Sequence, residues 1–127
     1  MHQIIELYWK YFRDNEEIIL DKMSIYDESD RVAVRASLQK FYDSSIYTLL
    51  KSGVEHRFEL EFNHEGKIGF IDFLYYDKEK EGWVIVDFKT GQASEEKISK
   101  YQEQLDFYKN VMEALEYNIV DTQLLWL

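Results

Sequence analysis

From residue 54 onward the hydrophobic pattern of this chain leaves little choice but a sheet. Residues 54–62 alternate, with Phe58, Leu60 and Phe62 on one side and Arg57, Glu59 and Glu61 on the other, so Glu59 is expected to face solvent. The turn Asn63-His64-Glu65-Gly66 leads into a second run, 67–76, and the charged turn 77–82 leads into a third, 83–88. Strands joined by turns this short pair as antiparallel hairpins, which gives a three-stranded meander. Gly91-Gln92-Ala93 then breaks the pattern. Ser94 is the expected N-cap of a helix reaching about Tyr117, with Glu95 and Glu96 at its positive end and Asn118 as the stop. Residues 119–127 are apolar enough for a last strand. A strand–helix–strand crossover makes that strand parallel to its neighbour in the meander.

Before residue 54 the period is helical. Residues 2–23 place Ile5, Trp9 and Phe12 on one stripe, with Asp14-Asn15 as an interruption. Ser29-Asp30 is the expected cap of one long second helix carrying Val34, Leu38, Phe41, Ile46 and Leu49-Leu50, and Gly53 is its stop. The fold class is therefore α/β, a mixed four-stranded sheet of antiparallel meander plus parallel crossover strand, flanked by helices. The 127 residues suit a single domain, and no repeat or linker divides them.

The chemistry concentrates at two strand ends. Trp83-Val84-Ile85-Val86-Asp87-Phe88-Lys89-Thr90-Gly91 is an apolar run that closes on a carboxylate and an amine two residues apart, hence on one face of a strand. Taken alone, such a pair reads better as a solvated ion pair of little energetic consequence. Lys67-Ile68-Gly69-Phe70-Ile71-Asp72 changes that, because it ends the preceding strand in a second aspartate where aspartate is disfavoured. Strands lie about 5 Å apart, so the two carboxylates can converge on one ion. Asp72 and Asp87 would be hard ligands for magnesium or manganese, the backbone carbonyl of Phe88 a further one, and Lys89 the cation that offsets charge on a phosphate. On the following helix Tyr101, Gln104 and Tyr108 share a face at spacings of three and four, suited to orienting the lysine, a metal water or a DNA backbone, although taken alone the tyrosines read better as packing on the sheet beside Leu105 and Met112. His2 and Glu6 lie one turn apart on the first helix; His56 and His64 have no partner at ligand spacing.

These pieces in this order resemble the PD-(D/E)XK nuclease superfamily, and within it the nuclease domain of RecB- and AddA-type helicase–nucleases of the UvrD-like class. His2-Gln3-Ile4-Ile5-Glu6 resembles the first helix with its metal-binding histidine. Gly69-Phe70-Ile71-Asp72 resembles the glycine–apolar–isoleucine–aspartate motif, and Asp87-Phe88-Lys89-Thr90-Gly91 the aspartate–x–lysine–threonine–glycine motif. Gln104 with Tyr108 resembles the glutamine–x–x–x–tyrosine helix motif, and the last strand resembles the one that closes the domain. The resemblance implies a restriction-endonuclease-like core and a Mg2+- or Mn2+-dependent, exonuclease-like deoxyribonuclease. Asp72, Asp87, the Phe88 carbonyl and His2 would bind metal, Lys89 would be the catalytic lysine, and Gln104, Tyr108 and Tyr101 would contact DNA or support the site. It also implies processing of DNA ends in double-strand-break repair, a helicase domain in the same polypeptide and a partner helicase–nuclease subunit. The family's glycine and threonine before the histidine have no counterpart behind Met1, so residues 1–127 are expected to be one nuclease-like domain excised from the C-terminus of a larger protein.

Composition trims the alternatives. With no cysteine there is no disulfide, thiolate zinc site or iron–sulfur cluster. No apolar run is long enough to cross a membrane and no signal peptide is evident, so a cytoplasmic protein is expected. The net charge of −10 opposes strong binding to phosphates and implies weak, salt-sensitive DNA binding by this chain alone. A non-catalytic DNA-end-binding or docking module of a helicase is the main alternative. An acidic interaction domain that mimics DNA, resting on the charge alone, is a third reading.

Overall fold

Four helices precede the sheet in the computed structural model of the protein, which describes residues 2–13 and 15–127, His2 by its backbone alone. The chain divides into two units, residues 1–52 with Leu127, and residues 53–126.

The first unit holds α1 (His2–Tyr11), α2 (Glu16–Lys22), α3 (Glu28–Tyr42) and α4 (Ser45–Lys51). Ile4, Tyr8, Ile19 and Leu38 are buried together, with Phe12, Val34, Tyr42 and Tyr47 packed around them. The expected break after the first helix is present, since α1 stops at Tyr11 and α2 starts at Glu16; Asp14 lies outside the described residues. Two expectations are corrected. The cap of α3 is Asp27, not Ser29-Asp30: its Oδ1 accepts from Ser29 N at 2.9 Å and Asp30 N at 3.2 Å, so the expected cap residues supply the capped N–H groups. The long second helix is two helices, because Ser44 ends one and begins the next. Its hydroxyl donates to Phe41 O at 2.6 Å and accepts from Tyr47 N at 3.4 Å, the local side-chain bonding by which serine competes with a continuous helix. Gly53 does close α4, at φ +84° in the left-handed region.

The second unit holds β1 (His56–His64), β2 (Lys67–Asp77), β3 (Gly82–Lys89), α5 (Glu95–Ala114) and β4 (Ile119–Trp126) in one sheet of order β1-β2-β3-β4. The first three strands are antiparallel neighbours and β4 runs parallel to β3, the mixed sheet the sequence implies. Ser94 caps α5, accepting from Lys97 N at 3.2 Å. The helix ends three residues before Tyr117, with Glu116 at φ +72° taking the left-handed C-terminal position. Leu105, Val111 and Met112 of α5 bury against Phe62, Ile71, Leu74, Ile85 and Ile119.

One face assignment is overturned. Leu60 and Phe62 pack into the core beneath α5, but Phe58 turns to the other face, its ring 5.0 Å from that of Phe73. Phe73 in turn stacks on Phe88 at 6.0 Å, and Phe88 alternates with the α5-facing side of β3. The cause is Glu59 between them, at φ +48°. A left-handed residue breaks the two-residue period, and the β1–β2 ladder passes over Glu59 and Asp72 while pairing Phe58 with Phe73 and Leu60 with Ile71. The irregularity therefore sits at Asp72.

Gly69, which opens the Gly69-Phe70-Ile71-Asp72 motif, is required by packing. A Cβ there would lie 2.4 Å from the Phe62 ring. Gly69→Ala is expected to destabilise the domain by about 1–3 kcal/mol in urea unfolding, and Phe62→Leu in the same chain to recover part of the loss. Additive effects of the two substitutions would refute the contact.

Candidate functional site

The site forms where β2 and β3 part. Their ladder runs from Asp77 opposite Gly82 to Phe73 opposite Val86 and ends there, one step short of setting Asp72 opposite Asp87. Beyond that point the side chain of Asp72 replaces the strand: its Oδ2 accepts the Phe88 N–H at 2.9 Å. The bond anchors Asp72 beside Asp87, close enough for each carboxyl to disfavour the charge of the other.

Asp87 follows Ile85 and precedes Lys89 on the α5 side of β3, so the two functional side chains emerge together, as strand alternation requires. Asp87 is 5% exposed, the single charged residue among the described ones to be buried. Burial, and then the neighbouring Asp72, push its carboxyl up to about 7, against the downward pull of Lys89. Lys89 Nζ lies 3.0 Å from Asp87 Oδ2, off the line of a hydrogen bond, so among the described residues that buried oxygen has an ion pair but no hydrogen bond.

α5 holds the lysine from above. Nζ donates to Gln104 Oε1 at 3.3 Å, and the Gln104 amide donates to the Tyr108 hydroxyl at 3.0 Å. The order follows from chemistry: an ammonium only donates, so the carboxamide presents its oxygen to Lys89 and its nitrogen to Tyr108. Tyr108 then keeps its own proton to give, and burial together with Asp87 and Asp72 raises its pKa. Tyr101, one turn earlier, lies under the same ammonium, 4.1 Å from Nζ to ring centroid. The spacing thus brings Tyr101 and Gln104 to the lysine, with Tyr108 one hydrogen bond behind Gln104.

Asp72, Asp87, Lys89, Gln104, Tyr108 and Tyr101 are therefore gathered at one place. Phe88 lies between the acid and the lysine, its N–H given to Asp72 and its ring on the opposite face. The side chain of His2 lies outside the described residues. Glu59 lies close by in register: it is half-buried, and the β1–β2 ladder passes over it and Asp72 together. Alternation with Arg57 and Glu61 disguised it as one more solvated acid, and no sequence signal marks the left-handed φ that moves it.

Two facing carboxyls, one of them buried and short of a hydrogen bond, fit a divalent cation, which would supply the positive charge that makes both ionise. The described residues offer these two as converging ligands, and no group of three His, Cys, Asp or Glu side chains among them is placed to hold a metal. The rest of an octahedral shell would come from water, substrate and backbone.

The raised acid has a consequence for stability without metal. A carboxyl pushed up to about 7 in the fold from its ordinary 3.8 binds more protons in the native state, so its contribution falls as pH rises across that window. In EDTA, Asp87→Asn should gain on the parent chain between pH 5 and pH 8 by roughly 1–3 kcal/mol, read from urea midpoints. A gap that does not change with pH would refute the shift.

No curated protein matches the chain. A family model described as the PD-(D/E)XK nuclease superfamily matches residues 1–125. Its span takes in both aspartates, the lysine and the Gln104–Tyr108 pair, and the mixed four-stranded sheet is consistent with the restriction-endonuclease-like fold of that superfamily. The chain belongs to the PD-(D/E)XK nuclease superfamily.

Proposed function

We propose that this protein is a Mg2+- or Mn2+-dependent deoxyribonuclease that hydrolyses phosphodiesters at Asp72, Asp87 and Lys89. The observation that carries the reading is the arrest of the β2–β3 ladder at Asp72, which turns two carboxyls to one point beside a held lysine. A bound divalent ion would polarise the phosphate and lower the pKa of a water. Asp72, Asp87, the Phe88 carbonyl and His2 are its proposed ligands, and Glu59 adds negative charge from the next strand. Lys89, released from Asp87 as that acid turns to the ion, would face the phosphate and offset charge building on its oxygens. Gln104 and Tyr108 keep the ammonium aimed, and with Tyr101 they line the approach of the DNA backbone.

The sequence motifs favour a RecB- or AddA-like nuclease domain, cut from the C-terminus of a helicase–nuclease that processes DNA ends in double-strand-break repair. A cytoplasmic location accords with that role, and among the described residues no helix is long and apolar enough to cross a membrane. The net charge of −10 fits a domain that relies on an attached helicase or a partner subunit for its grip on DNA. A non-catalytic end-binding module is the second reading, favoured by there being only two converging carboxylates among the described residues. Calorimetric titration with manganese separates the two, since that module has no need of an ion.

Lys89→Ala should lower cleavage of single-stranded DNA in manganese by about 100-fold or more, with the fold retained by circular dichroism. Cleavage equal to that of the parent chain, in this domain and in the full-length protein, would overturn the assignment of Lys89. Absence of any cleavage in both would overturn the nuclease reading itself.

A further inference from the structure

Beside the lysine stands an aromatic pair outside the cluster that α5 buries against the sheet. Trp126, the last residue of β4, is the parallel partner of Lys89 on β3. Its ring centroid lies 5.9 Å from that of Tyr101, the planes tilted by 51°. Tyr101 carries the Lys89 ammonium on its ring, so the indole stands next to the ring that meets the lysine. Both residues are half-buried, and neither belongs to the cluster that α5 buries against the sheet. Ile98, three residues before Tyr101 on α5, is 39% exposed and continues the lip outward.

We infer that Tyr101 and Trp126, rimmed by Ile98, form a stacking subsite for an unpaired nucleobase next to the scissile phosphate, and that this subsite makes single-stranded DNA the preferred substrate. The inference rests on the nuclease reading and names the substrate form of that site. A phosphate seated against Asp72, Asp87 and Lys89 carries its nucleotide within reach of a ring that touches the residue beneath the lysine. In a duplex the faces of a base are taken up by its neighbours, and only its edges are offered to a protein. An unpaired base offers its π-face, and stacking on aromatic side chains is the usual sequence-tolerant source of single-strand affinity. A chain of net charge −10 draws little from phosphates, so the share left to the bases is large.

The test uses the full chain with manganese. Substrates are a single-stranded oligonucleotide, the same oligonucleotide with one abasic nucleotide moved along it, and its duplex. Trp126→Ala is expected to raise KM on the single strand about tenfold with kcat within about twofold, and to lower the preference for single strand over duplex by a similar factor. Trp126→Phe should restore most of the affinity. One abasic position should reproduce the loss in the parent chain and add nothing in Trp126→Ala. Equal changes on single strand and duplex, or a fall in kcat with KM unchanged, would overturn the proposal. Should Trp126→Ala fail to fold, the abasic scan of the parent chain decides alone, and no base-dependent position overturns it. With calcium in place of manganese, fluorescence anisotropy of the same oligonucleotides reads the subsite without cleavage. Equal affinity for base-bearing and abasic strands there overturns the subsite, while loss of Lys89-dependent cleavage with base-dependent binding intact would strike only the nuclease reading.

Discussion

One hydrogen bond organises this molecule: the Phe88 N–H given to the carboxylate of Asp72 at 2.9 Å. In a continued ladder that N–H would pair with the backbone of β2. With a side chain there instead, the strands can part and still leave no buried donor unsatisfied, which would otherwise cost about 1–3 kcal/mol. Parting opens the space into which Asp87 and Lys89 project. The neighbouring ladder accommodates the same point, where Glu59 takes φ +48° and the alternation of β1 changes face. Two ladders thus give way at Asp72, and that point is where the charged groups are.

That arrangement works against the stability of the metal-free fold. Asp87 is buried beside another acid, and its carboxyl is pushed up to about 7 as a result. The opposing contributions come from Lys89 and from α5, whose Gln104 and Tyr108 fix the ammonium through two successive hydrogen bonds. The same desolvation that raises the acid strengthens its attraction for a dication, so a cation would relieve the strain that the metal-free site carries. The α5 core of Leu105, Met112, Ile85 and Phe62 is what makes such strain tolerable, since it fixes the helix over the strand ends irrespective of the site's charge.

Much of this was legible before the structure. The meander, the capped helix and the parallel closing strand follow from changes of hydrophobic period and from turns too short to do anything else. Asp87 with Lys89, and Tyr101 with Gln104 and Tyr108, fall on shared faces by simple strand and helix geometry. What escaped was decided by competition between local groups. Asp27 outreaches Ser29 and Asp30 as a cap because its carboxylate meets two N–H groups at once, and Ser44 divides a helix that propensity alone would continue. Phe58 and Glu59 escaped because a single left-handed residue defeats a period-two reading over the rest of its strand.

The sequence by itself determined which elements form, in what order, and which side chains each strand and helix presents, because these depend on periods of two and 3.6 residues and on caps read over a few positions. It also carried the motifs that mark the superfamily. Only the tertiary structure decided that Asp72 stands in for a ladder bond, that the β1–β2 ladder passes over Glu59 and Asp72 together, and that Trp126 closes on Tyr101 beside Lys89. Those relations join residues 13 to 37 positions apart in the chain, and their geometry is set by where neighbouring strands stop pairing, which no local pattern records.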